Sequence, residues 1–389
     1  MTDVRSDTAS GSDTGAVSRP LVVVDDEDQL DQVLRLAASV GCELERAVDL
    51  DAARSRFRDA PLLILDEAAL PRCLTRQVMP GTSGPPGAAG TSRAEGTVVL
   101  ICRDEPSPET WQQAFRVGAE QVLRLPDDES CLVAVLADAA DGPGAGDGTV
   151  VAVVGGRGGA GASVLSSAVA LTACHTGRDA LLVDCDALAG GIDLVLGAEL
   201  DSGSRWPELN LGSGRVSMRA LRDALPRFSH DGGELAVLSC GRDGGGPSED
   251  GVAAVLEAGR RAGRTVVCDL PRRPDPACRR VVELADLVCV VIPAEVRACT
   301  SAQQVLGWLR ELTDRLGLVV RGPAPEALPA QEIADVLELP LVTAMRAEPR
   351  LAAALERGQF RPRPRGPLAT GARAVLCALP EASGEYGAA

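Results

Sequence analysis

The sequence contains no lysine: all 39 of its basic residues are arginine, set against 55 acids for a net charge of −16. An arginine in a lysine's usual place therefore reflects the chain's habit, whereas an uncharged residue there is a loss of charge. Aromatic residues make up only 2%, so alanine, valine and leucine must do the packing. No stretch interleaves aromatic rings with basic residues in the manner of single-strand binders. A chain this acidic is repelled by phosphate backbones and anionic lipid, and nonspecific nucleic-acid binding is not expected. Histidine occurs only at His175 and His230, and the 12 cysteines include no C-x-x-C pair, which argues against a metal centre built from these side chains. Cys185, Cys268 and Cys289 instead sit in apolar strand-like runs, where a reduced thiol behaves as a small hydrophobe and a reducing cytosol is implied. The sequence has no run of 18 apolar residues and no N-terminal basic region leading into an apolar core. It is expected to be neither exported nor membrane-spanning.

At 389 residues the chain exceeds one ordinary hydrophobic core and suits two domains. Residues 1–19 are rich in Ser, Thr, Asp and Gly and read as disordered. From 20 to 140, strand-like runs ("LVVV", "PLLILD", "GTVVLIC", "EQVLRL") alternate with helical periodicity, a pattern that favours a parallel sheet covered by helices. In the first helix Leu30, Val33, Leu34 and Ala37 fall on one face at spacings of three and four. The stretch 79–96, "MPGTSGPPGAAGTSRAEG", reads as a loop, and "DGPGAGDG" places a flexible linker over 141–148. A longer α/β series covers 149–380, with a helix expected over 299–316, and 381–389 reads as a tail. It predicts a doubly wound sheet, in which ligands sit outside the carboxyl ends of the strands.

The first turn of that series is "VVGGRGGAGAS". Gly158, Gly159 and Gly161 let the backbone turn N–H groups inward, and the helix that follows adds its positive end, so Arg157, Gly158, Gly159, Ala160, Gly161, Ala162 and Ser163 form a candidate phosphate loop. Ser163 stands where a P-loop hydroxyl would coordinate magnesium. The pattern G-x-x-x-x-G-K-[ST] is met except that Ala162 occupies the lysine position. A glycine-rich turn that merely packs a helix on a sheet would share these residues. Two further strand ends carry acids: Asp184 and Asp186 in "LLVDCD", and Asp269 in "TVVCDLP". Acids so placed beside a phosphate loop can hold hydrated magnesium and orient an attacking water; a single such Asp could equally cap a helix or a turn.

On these motifs residues 149–380 resemble the MinD/ParA class of P-loop ATPases, whose loop reads K-G-G-x-G-K-[ST] against R-G-G-A-G-A-S here. The resemblance implies a doubly wound P-loop fold with ATP and magnesium as cofactors. Arg157 would replace the lysine that reaches across an ATP-bound dimer, Ala162 the loop lysine, and Ser163 the magnesium ligand. Asp184 and Asp269 would serve the metal, and Asp186 would orient water. More narrowly, "GRGGAGAS", "LAGGIDLVLGAE", "VVCDLPRR" and "RGPLATGARA" resemble the CpaE-like septum site-determining proteins of actinobacteria, which place a receiver-like domain before such an ATPase. The front domain is accordingly similar to a CheY-like receiver, with Asp25 and Asp26 as the acid pair and Asp66 at the phosphoacceptor position. It departs from that pattern at Cys102, where a hydroxyl is expected, at Leu125, where a lysine is expected, and in the shortened helix after Asp66. A new phosphate without a cationic partner is poorly stabilised, so Asp66 is expected to be inactive and the domain to be a pseudo-receiver that docks partners.

Two accounts of the whole remain open. In one, an ATP-binding cytoplasmic regulator acts in septum placement or in positioning a secretion or pilus apparatus, with weak or no hydrolysis, through division or secretion proteins and an ATP-dependent homodimer. In the other, a pseudo-ATPase scaffold works through protein contacts alone. The acids favour the first and Ala162 the second. A metabolic enzyme lacks a nucleophile–base pair in the sequence. The arginine clusters at 272–280 and 361–365 read as solvated loops, and "ALPEASGEYGAA" lacks the basic face of a membrane-surface helix, so recruitment to membrane or septum would depend on partners. His175 reads as a partner for a helix C-terminus.

Overall fold

Runs such as LVVV, LLILD and TVVAVVG carry aliphatic side chains on both faces, the composition of strands covered on both sides. The computed structural model buries them so, and describes residues 19–47, 56, 60–75, 97–141, 148–209, 216–230, 232–242, 245–322, 328–358 and 360–380. The chain divides into two units, Met1–Ala139 and Ala140–Ala389. Of the segment 1–19 only Arg19 is described; the loop 79–96 and the tail 381–389 lie outside the described residues. Of the stretch 141–148, Asp141 ends a helix, 142–147 lie outside the described residues, and the Gly148 N–H donates to the Arg260 carbonyl at 2.9 Å.

The first unit is a parallel sheet of β1 (Leu21–Val23), β2 (Glu45–Arg46), β3 (Leu62–Asp66), β4 (Thr97–Cys102) and β5 (Gln121–Arg124) in the order β2-β1-β3-β4-β5. Helices Glu27–Ser39, Leu70–Thr75, Pro108–Val117 and Glu129–Asp141 connect and follow the strands. Asp26 caps the first helix, accepting the N–H of Asp28 at 3.0 Å and of Gln29 at 3.2 Å, which satisfies donors the helix leaves open. The buried face of this helix is Leu30, Val33, Leu36 and Ala37, and Leu34 is 42% exposed, so the expected stripe is corrected at one position. At 100° per residue Leu34 falls past one edge of the buried arc and Leu36 extends the other.

The second unit carries an eight-stranded sheet: β6 (Thr149–Gly155), β7 (Ala180–Asp184), β8 (Arg227–His230), β9 (Gly233–Leu238), β10 (Thr265–Leu270), β11 (Leu287–Pro293), β12 (Leu316–Arg321) and β13 (Leu341–Met345). The order is β13-β12-β11-β6-β10-β7-β9-β8, parallel except for the edge strand β8, which runs antiparallel to β9. Both faces are covered. Helices Glu249–Arg261, Pro276–Leu284, Val296–Leu309 and Ala330–Leu337 contribute to the core on one face, and Ala162–His175 and Pro367–Cys377 to the core on the other. The helix expected over 299–316 runs instead from Val296 to Leu309. Beyond it the Thr313 hydroxyl accepts the Arg315 N–H at 3.2 Å, a local bond that competes with continued helix and turns the chain into β12.

The strand order sets the site. β10 lies between β6 and β7, with Asp269 paired in register to Val153 on one side and to Asp184 on the other. The glycine loop after β6 and the acids of β10 and β7 therefore emerge side by side at the carboxyl edge of the sheet.

Candidate nucleotide-binding site

The loop between β6 and the helix Ala162–His175 turns through two left-handed glycines, Gly159 at φ 69° and Gly161 at φ 97°. An L side chain at either would be strained, which is why glycine is needed there. Its start is anchored by the Gly156 N–H, which donates to the Val291 carbonyl at 2.8 Å. Gly161 is the N-cap and offers no side-chain oxygen to the first helical N–H groups, so the positive end of a 14-residue helix is left for an anion. Loop and helix face a cavity of about 640 Å³ whose lining also includes Asp186, Arg272, Arg321, Arg346 and Glu348. This is within the size range of a small-molecule site. Ala162 and Ser163 both line it, so the position that usually carries lysine is open to the cavity and contributes only a methyl group.

The three acids do not stand alike. Asp186 lines the cavity and closes a turn by accepting the Leu188 N–H at 3.2 Å. Asp269 is buried, hydrogen-bonded to the Ser163 hydroxyl and accepting from Ser166 Oγ at 3.1 Å. Burial pushes its carboxyl up to about 7, the two serine hydroxyls oppose that, and the charges of Asp184 and Asp186 add to it. Asp184 is buried as well and its oxygens are spent on the protein. Oδ1 accepts the Asp186 N–H at 3.1 Å, and Oδ2 the N–H groups of Ile192 at 2.9 Å and Cys240 at 3.2 Å. Burial raises its pKa while those N–H groups and the Ser239 hydroxyl hold it down. Among the described residues no group of three or more His, Cys, Asp and Glu could hold a metal ion. Magnesium suits such a place only in company with phosphate oxygens and water, which is its usual habit.

Several residues at this edge were not singled out in the sequence. Arg321, the last residue of β12, donates from Nε to the Ala160 carbonyl at 2.6 Å and from Nη2 to the Gly159 carbonyl at 2.9 Å. A charge closing an apolar run at a strand's carboxyl end is the signal that marked Asp184 and Asp269, and it applies equally to "LGLVVRG". Glu295 receives Arg157 Nη2 at 3.0 Å. Asp193, buried, pairs with Arg205 at 3.3 Å and Arg242 at 3.0 Å. Of the arginine clusters read as solvated loops, 361–365 is a loop with its arginines exposed and Arg272 and Arg273 are exposed, whereas the end of the first cluster is helical. Arg272 lines the cavity, Arg279 and Arg280 lie on the helix Pro276–Leu284 and pair with Glu311 and Glu283, and Arg363 pairs with Glu348. His175 is the last residue of its helix.

In the first unit Asp66, 1% exposed, accepts the Asp25 N–H at 2.6 Å and the Asp26 N–H at 3.1 Å on Oδ2, and the Ala69 N–H at 2.8 Å on Oδ1. The neighbouring acids are themselves neutralised, Asp25 by Arg72 and Asp26 by Arg103. Burial pushes the Cys102 thiol up to about 12, helped by the charge and hydrogen bond of Glu67; it is a packed hydrophobe and offers no hydroxyl to a phosphate. Asp66 should therefore take up no phosphoryl group. Incubation with a small phosphodonor and magnesium is expected to leave the intact mass unchanged, and stoichiometric labelling that disappears in Asp66→Asn would overturn this.

Comparison with known proteins agrees with both halves. Residues 23–147 match the family described as Rv3660c-like, CheY-like N-terminal domain. The uncharacterized protein Rv3660c of Mycobacterium tuberculosis H37Rv is 45% identical over 368 residues, spanning 92% of this chain and 97% of its own. Among solved structures, a ParA family ATPase from Chlorobium tepidum TLS shares the fold with a TM-score of 0.51 at 18% identity, covering 59% of this chain and 98% of its own. The cell division ATPase MinD of Pyrococcus furiosus is similar at 17% identity and a TM-score of 0.49, covering 59% of this chain and 99% of its own. The architecture is thus a CheY-like domain followed by a P-loop NTPase fold like that of the ParA family ATPase.

Proposed function

The chain belongs to the family of Rv3660c, and from that premise we propose that its second unit is an ATP-binding regulatory module of the MinD/ParA/CpaE class. Nucleotide occupancy of the loop 156–163 would set a dimeric or partner-bound state that places division or secretion machinery, with weak or no hydrolysis. The observation that carries this reading is the open helix N-terminus and inward-turning glycine loop facing a cavity edged by Asp186, beside Ser163 and Asp269. Backbone N–H groups and the helix end would hold the phosphates. The donor set for magnesium is all oxygen, as the ion requires: the Ser163 hydroxyl, with Asp269 and, through its partners, Asp184. Bound magnesium would neutralise charge on the phosphates, and Asp186 would orient water.

The partners are read as proteins. Among the described residues no helix is long and apolar enough to cross a membrane, and the reading has a cytoplasmic protein that reaches membrane or septum through what it binds, without a strong case for nucleic acid. The first unit, its Asp66 already holding three backbone N–H donors, would act as a docking pseudo-receiver.

Ala162 supports a second reading, a scaffold whose nucleotide site is vestigial. The two readings part at one substitution. If the loop holds phosphate, Ala162→Lys adds one charge-assisted contact, typically about 1.5–3 kcal/mol, and should tighten magnesium–ATP binding by about one to two powers of ten. Titration calorimetry on both proteins checks this; a folded variant with unchanged affinity and turnover would favour the scaffold.

A further inference from the structure

A phosphate loop works only if its peptide planes are turned so that N–H groups face the ligand, and each plane that does so turns its carbonyl away. Those carbonyls need partners of their own. Here the carbonyls of Gly159 and Ala160 are both taken by one side chain, Arg321, through Nη2 at 2.9 Å and Nε at 2.6 Å. The same two peptide planes carry the N–H groups of Ala160 and Gly161. The Ala160 N–H has a long bond to the Arg157 carbonyl, 3.3 Å, and the clamp adds two bonds from outside the loop to the same planes. Arg321 also lies beside the residue that precedes the position of the missing charge. A Cβ built on Gly161 would lie 3.5 Å from its Nε and 3.7 Å from its Cδ, and Gly161 immediately precedes Ala162. Its remaining donor, Nη1, has only a 3.4 Å contact to the Gly322 carbonyl, and the residue forms part of the cavity wall.

We infer that Arg321 takes over the task of the absent loop lysine, as a positioning residue that clamps the carbonyls of Gly159 and Ala160 and sets a fixed positive charge on the wall of the phosphate cavity. The inference rests on the nucleotide reading above and assigns its missing cation. Arginine suits the task better than lysine would, because a planar fork can grip two carbonyls at once and keep a donor free. A chain of net charge −16 without lysine has no other residue type for it. Arg272 and Arg346 line the same cavity, but the carbonyls of Gly159 and Ala160 bond to Arg321. Arg280, which pairs with Glu283 on the helix Pro276–Leu284 away from the cavity lining, serves as a control for the loss of one arginine.

The test is titration calorimetry on the full chain with two probes, magnesium–ATP and inorganic tripolyphosphate. Arg321→Ala should weaken both by about 10- to 100-fold, the loss of a charge-assisted contact, whereas Arg280→Ala should change either by less than about threefold, as a surface charge away from the cavity does. Adding Ala162→Lys to Arg321→Ala should recover at least about tenfold, since it restores a cation to the same phosphates. A merely structural arginine would not be repaired by a lysine at another position. Arg321→Gln, which keeps a carbonyl bond but not the charge, should fall between wild type and alanine, and it decides the matter if the alanine variant loses its cooperative melting transition. Wild-type affinity in Arg321→Ala or Arg321→Gln, a loss confined to ATP with tripolyphosphate unaffected, or no rescue by Ala162→Lys would overturn the inference while leaving nucleotide binding in place. A wild-type protein that binds neither probe would remove the nucleotide reading and the inference with it.

Discussion

Asp193→Ala should lower the stability of the second unit by about 3–5 kcal/mol, the usual cost of removing one member of a buried ion cluster. The Asp193 side chain is 2% exposed and meets Arg205 at 3.3 Å and Arg242 at 3.0 Å. Its Oδ1 also accepts the Ser239 hydroxyl at 3.1 Å and the Leu194 N–H at 3.0 Å. Removing the carboxylate would strand the Arg205 guanidinium, whose side chain is 15% exposed, among the carbonyls of Ala198, Asp201 and Gly203. Arg242 is more accessible and would turn to water, which places the expected loss toward the lower end. The cluster also shapes the site. Arg242 donates to the Gly190 carbonyl at 2.9 Å, and Gly191, at φ 94°, leaves no room for a side chain beside that guanidinium. The turn from Asp186 to Ile192 hangs from this anchor. Urea denaturation at neutral pH checks the number; Asp193→Asn, which keeps an acceptor, should lose less. A stability change below about 1 kcal/mol for the alanine variant would show that water already screens the pair.

Arg157→Ala should abolish a nucleotide-dependent shift from monomer to dimer while leaving binding to the monomer largely intact. Arg157 lies in the loop but is held sideways by Glu295, with both side chains 36% exposed. An exposed pair of this kind is worth about 0–1 kcal/mol, so it is easily exchanged for a better partner. The Arg157 Nε is buried without a hydrogen-bond partner, an unsatisfied donor in the monomer that a phosphate gripped from a facing subunit would satisfy. Val296, beside Glu295, is 73% exposed, which leaves apolar surface next to the released guanidinium. Light scattering with and without magnesium–ATP decides the matter. The wild type is expected to approach twice its monomer mass and Arg157→Ala to stay at the monomer mass. Wild-type protein that remains monomeric at saturating ATP would remove the dimer and favour the scaffold reading.

What the sequence showed of this site follows from how each signal arises. The glycine loop and the strand-end acids were visible because local rules create them: glycine where φ is positive, a hydroxyl at the helix start, carboxylates where an apolar run stops. Strand order was not visible, and it is strand order that brings Arg321 of β12 onto carbonyls 161 and 162 residues earlier in the chain. The ion cluster of Asp193, Arg205 and Arg242 was hidden for the same reason, since a buried charge and a solvated one look alike until burial is known. The edge strand β8 and the helix Pro367–Cys377 went unread because "RFSH" is too short to show a period and "PLATGARAVLC" is too rich in small residues to mark a face. The two oxygens of Asp184 already accept three backbone N–H groups and a hydroxyl, partners that strand-end position alone did not reveal. Asp269 instead has the hydroxyls of Ser163 and Ser166 for partners.

Everything turns on whether a loop without lysine still holds a nucleotide. The most direct measurement is titration calorimetry of the full chain with ATP in the presence and absence of magnesium, followed by a phosphate-release assay on the same sample. One ATP per chain is expected to bind saturably, more tightly with magnesium than without it, with little or no phosphate released. No saturable binding at millimolar magnesium–ATP, in protein whose cooperative unfolding shows it to be folded, would contradict the account.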